Sequence, residues 1–266
     1  MNFFEELAAA AGCSEDAGVA RLVLGWHASF VLAEDGRWGV GFVPDSMKEA
    51  HTARSVHTGA LIGASLSRLA GLYVSPFPQE FAAATAACAA LLPFRDGGLP
   101  LDLVMPDARG DRVAVLGYER DLLPFMRDWG WRVAVFDDRV ANRPDCFPQE
   151  DFSRGVSEAE WVWLSSEAIR DRWLLSTREA LLRKKGCFLQ GPGLPSLPRS
   201  FKKLGVTHLV VPSPVEESSE VARTVEAHVA AGGSPWLCEE LVWRVHAAQG
   251  LCGGRPSLDI AHPVRV

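Results

Sequence analysis

Two short apolar runs, Val113–Leu116 and Val133–Phe136, constrain this chain more than any other feature. Each is rich in β-branched residues and bounded by turn residues, the pattern of a strand buried on both faces of a parallel sheet. An amphipathic segment closed by Gly130 separates them, so the stretch reads strand, helix, strand. Gly117 lets the chain turn sharply off the first strand. Asp137 ends the second, twenty residues later, about where a Rossmann unit keeps the acid that holds a ribose hydroxyl. The first turn lacks Gly-x-Gly-x-x-Gly, so it does not look like a dinucleotide pyrophosphate cradle.

The same pattern continues beyond Phe136. Strands are expected at 161–165, 187–190 and 207–211, with helices at 121–129 and 171–184 and a short helix around 148–154. Alternation of this kind implies a parallel sheet with right-handed crossovers. The tail reads as two helices, 216–231 and 235–248, before a Gly/Pro-rich end.

The N-terminal portion differs. A helix over Phe3–Ala11 is stopped by Gly12, and strands follow at Val19–Leu24, Ala28–Ala33 and Trp38–Val43. Asp35-Gly36 is a hairpin signal, so this is an antiparallel meander. Pro44–Thr58 is polar and aperiodic; its His51 and His57 match no metal-binding spacing. Helices are expected at Leu61–Ala70 and, after Pro76-Phe77-Pro78, at Gln79–Leu92. Pro93–Asp111, dense in Pro, Gly and Asp, is the candidate linker. The fold class is therefore α/β: an α+β domain over 1–95 with three antiparallel strands and two helices, then a Rossmann-like parallel-sheet domain over 96–266.

Composition excludes some partners. The net charge is −6, and the short basic runs Arg183-Lys184-Lys185 and Lys202-Lys203 make no extended basic face, so nucleic acid is not expected. The alanine-rich run Phe81–Leu92 is too short to span a bilayer, and the start shows no secretory signal. Six scattered cysteines without Cys-x-x-Cys suit reduced thiols in a cytoplasmic protein. Trp129, Trp131, Trp161 and Trp163 flank or occupy strands and suit the core. No nucleophile elbow or P-loop is present.

Parallel sheets bind ligands beyond the carboxyl ends of their strands. Those ends are Gly117-Tyr118-Glu119, Asp137-Asp138-Arg139, Ser165-Ser166-Glu167 and Gln190-Gly191-Pro192-Gly193. Asp137 either accepts a hydrogen bond from a ligand or caps its strand. Ser165, Ser166 and Glu167 offer hydroxyls and a carboxylate, although Ser166 equally suits a helix cap. Gly191-Pro192-Gly193 either exposes backbone donors or simply bends the chain. Glu80 sits in a first helical turn, where the helix dipole alone favours an acid.

Leu24-Gly25-Trp26-His27-Ala28-Ser29-Phe30, followed by Asp35-Gly36-Arg37-Trp38-Gly39-Val40-Gly41, resembles the opening of a heavy-metal chelatase family of uncharacterised prokaryotic proteins. The resemblance runs over roughly residues 5 to 215. It implies an enolase-N-terminal-like domain, a Rossmann-like domain, and an active site between them. The family's acid before an alanine-rich helix is similar to Glu80, its Val-x-Val-x-Gly strand to Val113–Gly117, and its acid after the second strand to Asp137. Its Gly-Pro-Ser turn resembles Gly191-Pro192-Gly193, with Gly193 in place of the serine. Its Thr-Gly-Thr corresponds to Ser165-Ser166-Glu167, which loses the glycine and gains a charge, and Asp171 stands where the family has asparagine. By resemblance, Glu80 and Asp171 would be catalytic. Gly117, Tyr118, Asp137, Ser165, Ser166, Glu167, Gly191 and Pro192 would bind a small molecule or metal. The expected cofactor, if any, is a transition metal and the expected assembly a homodimer. The alternative is a metal-free enzyme or binding protein for a nucleotide- or pterin-like molecule.

Overall fold

The computed structural model describes residues 2–44, 61, 63–94, 98–101, 109–118 and 122–248. The Pro44–Thr58 loop beyond Pro44, most of the linker and the Gly/Pro-rich end lie outside these residues.

The chain opens with helix α1 (Phe3–Gly12), started by a reciprocal cap. Asn2 Oδ1 accepts from the Glu5 N–H at 2.9 Å, and the Glu5 carboxylate accepts from the Asn2 N–H at 2.8 Å. Strands β1 (Val19–Leu24), β2 (Ala28–Ala33) and β3 (Trp38–Phe42) then form an antiparallel sheet, as the hairpin signal implied. Helix α2 is described over Leu66–Ala70, shorter than the expected Leu61–Ala70, and leads through a 3₁₀ turn into α3 (Pro78–Leu91). From Phe81 to Leu91 all of α3 but Ala89 is buried, because alanines let it lie directly on β3. Gly39 and Gly41 complete that contact: a Cβ at either would stand 2.5 or 2.3 Å from the Ala86 backbone.

Strands β4 (Leu99–Pro100), β5 (Arg112–Leu116), β6 (Arg132–Phe136), β7 (Cys146–Phe147), β8 (Trp161–Ser165), β9 (Gly186–Gln190), β10 (His208–Pro214) and β11 (Leu241–Ala247) build an eight-stranded sheet in the order β4-β11-β10-β9-β8-β5-β6-β7. From β7 to β10 all pairings are parallel, with β5 between β6 and β8. The fold is α/β. Several features depart from the sequence reading. The sheet is mixed, since β10–β11 and β11–β4 pair antiparallel, and β4 lies within the expected linker. The segment expected as helix 235–248 is instead a 3₁₀ turn (Pro235–Leu237) and strand β11. Its β-branched alternation satisfies the open edge of β10, pairing from His208↔Ala247 to Pro214↔Leu241.

The expected helix 171–184 is also broken. Short helices α6 (Glu167–Arg170), α7 (Trp173–Ser176) and α8 (Arg178–Leu181) replace it, because Arg172 is left-handed at φ 61° and interrupts the ladder. The other helices of this half are α4 (Leu123–Asp128), α5 (Phe152–Glu158), a single short turn of helix over Pro198–Lys203, and α9 (Ser219–Ala230). Pro198–Lys203 went unread in the sequence.

The lobes share apolar surface on both sides of the small sheet. One core runs from Phe3 and Leu7 through Phe81 and the α3 alanines to Leu164, Leu189 and Phe201 of the large lobe. On the opposite face, Ala28, Phe30 and Val40 pack on Val221, Val225 and Val229 of α9. A third cluster holds Trp131, Trp161 and Trp163 against Phe188, as expected for those indoles. Cys13, Cys88, Cys146, Cys187 and Cys238 are free thiols. Among the described residues no helix is long and apolar enough to cross a membrane.

Candidate functional site

The order of the large sheet locates its crevice. From β5 the chain moves outward through β6 to β7, then returns to β8 and proceeds the other way through β9 to β10. The strand order therefore reverses between β5 and β8, and ligands of open α/β sheets bind outside the carboxyl ends at such a point. Gly117 leaves β5 there, and Ser165-Ser166-Glu167 leaves β8 beside it.

A cavity of about 430 Å³ opens at this point. Gly117, Tyr118, Arg139, Ser165, Glu167 and Gln190 form its sheet side. His27, Phe42 and Val43 reach it from the small lobe, and residues 232–237 with Trp243 close it from the C-terminal side. A second cavity of about 220 Å³ shares Gly117, Arg139, Ser165 and Glu167 with the first and adds Asp137, Asp138, Arg170 and Asp171. The Arg139 and Glu167 side chains thus stand between the two spaces.

Asp137 is 5% exposed and its carboxylate is fully engaged. It accepts from the Tyr118 N–H at 2.8 Å, from the Arg139 N–H at 3.0 Å and from Arg139 Nε at 2.8 Å, and it also takes Arg139 Nη2. Burial pushes this carboxyl up from its ordinary value, against the two backbone donors. The acid at the end of β6 therefore ties down the turn after β5 and aims Arg139, rather than presenting free lone pairs to a ribose. Glu167 is held less completely, by Arg170 at 3.6 Å. Burial pushes its carboxyl up, and the nearby Arg170 pulls the other way. A carboxyl so placed holds its proton more readily than an exposed one.

Of the residues singled out from sequence, Gly117, Tyr118, Ser165, Glu167 and Pro192 line the larger cavity, and Asp137 and Asp171 line the smaller. Asp171 is occupied with Arg170 Nε at 2.7 Å. Ser166 and Gly191 lie beneath the rim. Ser166 is fully buried and its Oγ donates to the Gln190 carbonyl at 3.3 Å. A side chain at Gly191 would put Cβ 2.0 Å from that hydroxyl. Glu80 is not brought to either cavity; it accepts from Ser75 Oγ at the start of α3. The small lobe contributes His27 instead. Arg139, His27, Trp236 and Trp243 were not proposed from sequence. Arg139 had a signal, its position two residues after the acid that ends a strand. Among the described residues no group of three or more His, Cys, Asp or Glu side chains is placed to hold a metal ion.

An open α/β sheet with a crevice at its switch point, packed against a small α+β lobe, defines a class of two-lobed α/β folds. Within it the chain belongs to the DUF364 family, described as "Putative heavy-metal chelation", whose profile matches residues 99–247, more than half the sequence. A second profile with the same description, DUF4213, matches residues 5–92. No curated protein matches the chain. Among solved structures, a DUF364-family protein of unknown function from Pyrococcus horikoshii is 17% identical, covering 92% of this chain and 97% of its own at a TM-score of 0.71. Another, from Desulfitobacterium hafniense, is 19% identical, covering 90% and 96% at a TM-score of 0.68. At these identities the likeness establishes the shared fold.

Proposed function

We propose that the protein handles a heavy metal as a complex with a small organic ligand seated in the cavity between its lobes. The observation that carries this reading is Glu167: a largely buried carboxyl, raised by burial, at the sheet's switch point and facing both cavities. The family description supplies the metal as cargo. Glu167 takes up the proton that the organic ligand releases on coordination, or offers one oxygen to the ion. Arg139, fixed by Asp137, holds a polar group of the ligand. Asp171 supports Glu167 through the Arg170 they share, at 2.7 and 3.6 Å.

Metal content of tag-free protein tests the reading. Nickel, cobalt, iron or zinc should copurify or load stoichiometrically, and Glu167→Gln should lose most of it while retaining the fold. Protein that ignores all four ions, or a Gln variant that loads like wild type, would remove the proposal. Ligand bound tightly with no metal would favour the metal-free alternative.

A further inference from the structure

The larger cavity has two unlike sides. Its sheet side is polar, with Arg139, Ser165 and Glu167. Its C-terminal side is made by Pro235, Trp236, Leu237 and Trp243. Trp236 and Trp243 stack face to face, with ring centroids 3.7 Å apart and planes 14° apart. The 3₁₀ turn over Pro235–Leu237 carries the first indole and strand β11 the second, so two backbones fix the pair. The stack starts at the turn's cap: Ser234 Oγ accepts from the Trp236 N–H at 3.3 Å, and the Ser234 carbonyl meets His228 Nε2 at 2.9 Å. The Trp243 indole N–H is buried without an acceptor among the described residues.

We infer that this wall is an aromatic platform for the ligand, and that the cavity takes a flat, unsaturated nitrogen heterocycle. One ring face lies along the Trp236–Trp243 stack, and the ring's hydrogen-bonding edge turns to Glu167, Ser165 and Arg139 across the cavity. The chemistry favours this class over a saturated polyol or a peptide. Indole faces reward planar π-systems through offset stacking, which a puckered ring cannot match. A carboxyl, a hydroxyl and a guanidinium suit an edge that carries both N–H donors and ring-nitrogen or carbonyl acceptors. The inference rests on the reading of this cavity as the ligand site, but it names a feature that metal content does not report.

The test uses 2-quinolone and its octahydro counterpart, both neutral and both carrying the same lactam edge, with 2-amino-4-hydroxypteridine as a probe richer in edge groups. Titration calorimetry on the full chain should show the two aromatic probes binding. The octahydro compound should bind about tenfold more weakly than 2-quinolone. Trp236→Ala should weaken 2-quinolone by about tenfold while leaving the octahydro compound unchanged, and Trp236→Tyr should restore most of the loss. Equal affinity for the flat and puckered lactams, no aromatic binding to wild type, or a folded Trp236→Ala that binds like wild type would each overturn the platform. Those results would leave the metal-handling reading to the Glu167→Gln comparison, which does not depend on the tryptophans.

Discussion

Replacing Gly193 by alanine should destabilise the protein far more than the same change at Gly36, although both glycines have nearly the same backbone. Gly36 (φ 87°) and Gly193 (φ 81°) are both left-handed, so an alanine at either carries a strain of about 1–2 kcal/mol. At Gly36, in the β2–β3 hairpin, a Cβ would meet nothing within 4 Å, and the cost ends there. At Gly193 the Cβ would stand 2.5 Å from Thr85 Cβ and 2.7 Å from the Thr85 carbonyl oxygen. Thr85 lies in the middle of buried α3, its Oγ1 accepting from the Phe42 N–H at 2.9 Å and donating to the Ala82 carbonyl at 2.9 Å. It cannot yield without disturbing the contact between lobes, so overpacking adds about 1–3 kcal/mol. The expected totals are about 1–2 kcal/mol for Gly36→Ala and about 2–5 kcal/mol for Gly193→Ala. Urea unfolding, followed by circular dichroism and compared at a common m-value, measures both. Equal midpoints for the two variants would refute the argument that the Gly193 turn is wedged against α3.

Two further predictions concern pH. Glu167 has a folded-state pKa raised above its ordinary 4.5 by burial, so the stability it contributes is complete below that value and is lost as pH rises through the folded pKa. The melting temperature of wild type should therefore fall relative to Glu167→Gln as pH rises above the ordinary 4.5, and a difference that stays constant with pH would count against the buried carboxyl. His208 behaves in the opposite sense. Burial at the start of β10, with the ring stacked 4.6 Å from Phe188, lowers its pKa from 6.5 to about 4. Its contribution is complete above 6.5 and is lost as pH falls towards 4, amounting to about 3 kcal/mol at full protonation. His208→Gln should flatten the acid limb of a urea-midpoint profile, and parallel profiles would show that the imidazole is not desolvated.

What could be read from the sequence followed where local and tertiary demands agree. β5, β6, β8 and β9 are buried on both faces, so their Val/Leu/Phe/Trp runs carried their own boundaries to within a residue. The Asp35-Gly36 hairpin was legible for the same reason. The tail failed because Leu237, Leu241 and Val245 recur at helical spacing while Leu241, Trp243 and Val245 recur at strand spacing. Only the unpaired edge of β10 decides between these, and that edge is a property of the assembled sheet. Arg172 gives no sequence warning that it will adopt a left-handed backbone and break a helix. Within the site, turns after parallel strands pointed to Gly117, Ser165, Glu167 and Pro192. The engagement of Asp137 by four donors, and the wall across the cavity, depend on contacts between distant segments that no spacing encodes.

The cavity draws its lining from His27 near the start of the chain to Trp243 near the end of the described residues, with the sheet turns between. Its last wall is supplied by β11, which follows every parallel strand in the chain. During synthesis the cavity can therefore be walled on this side only once residue 243 has emerged. A nascent chain halted before residue 241 would hold a finished switch point open to solvent on one flank.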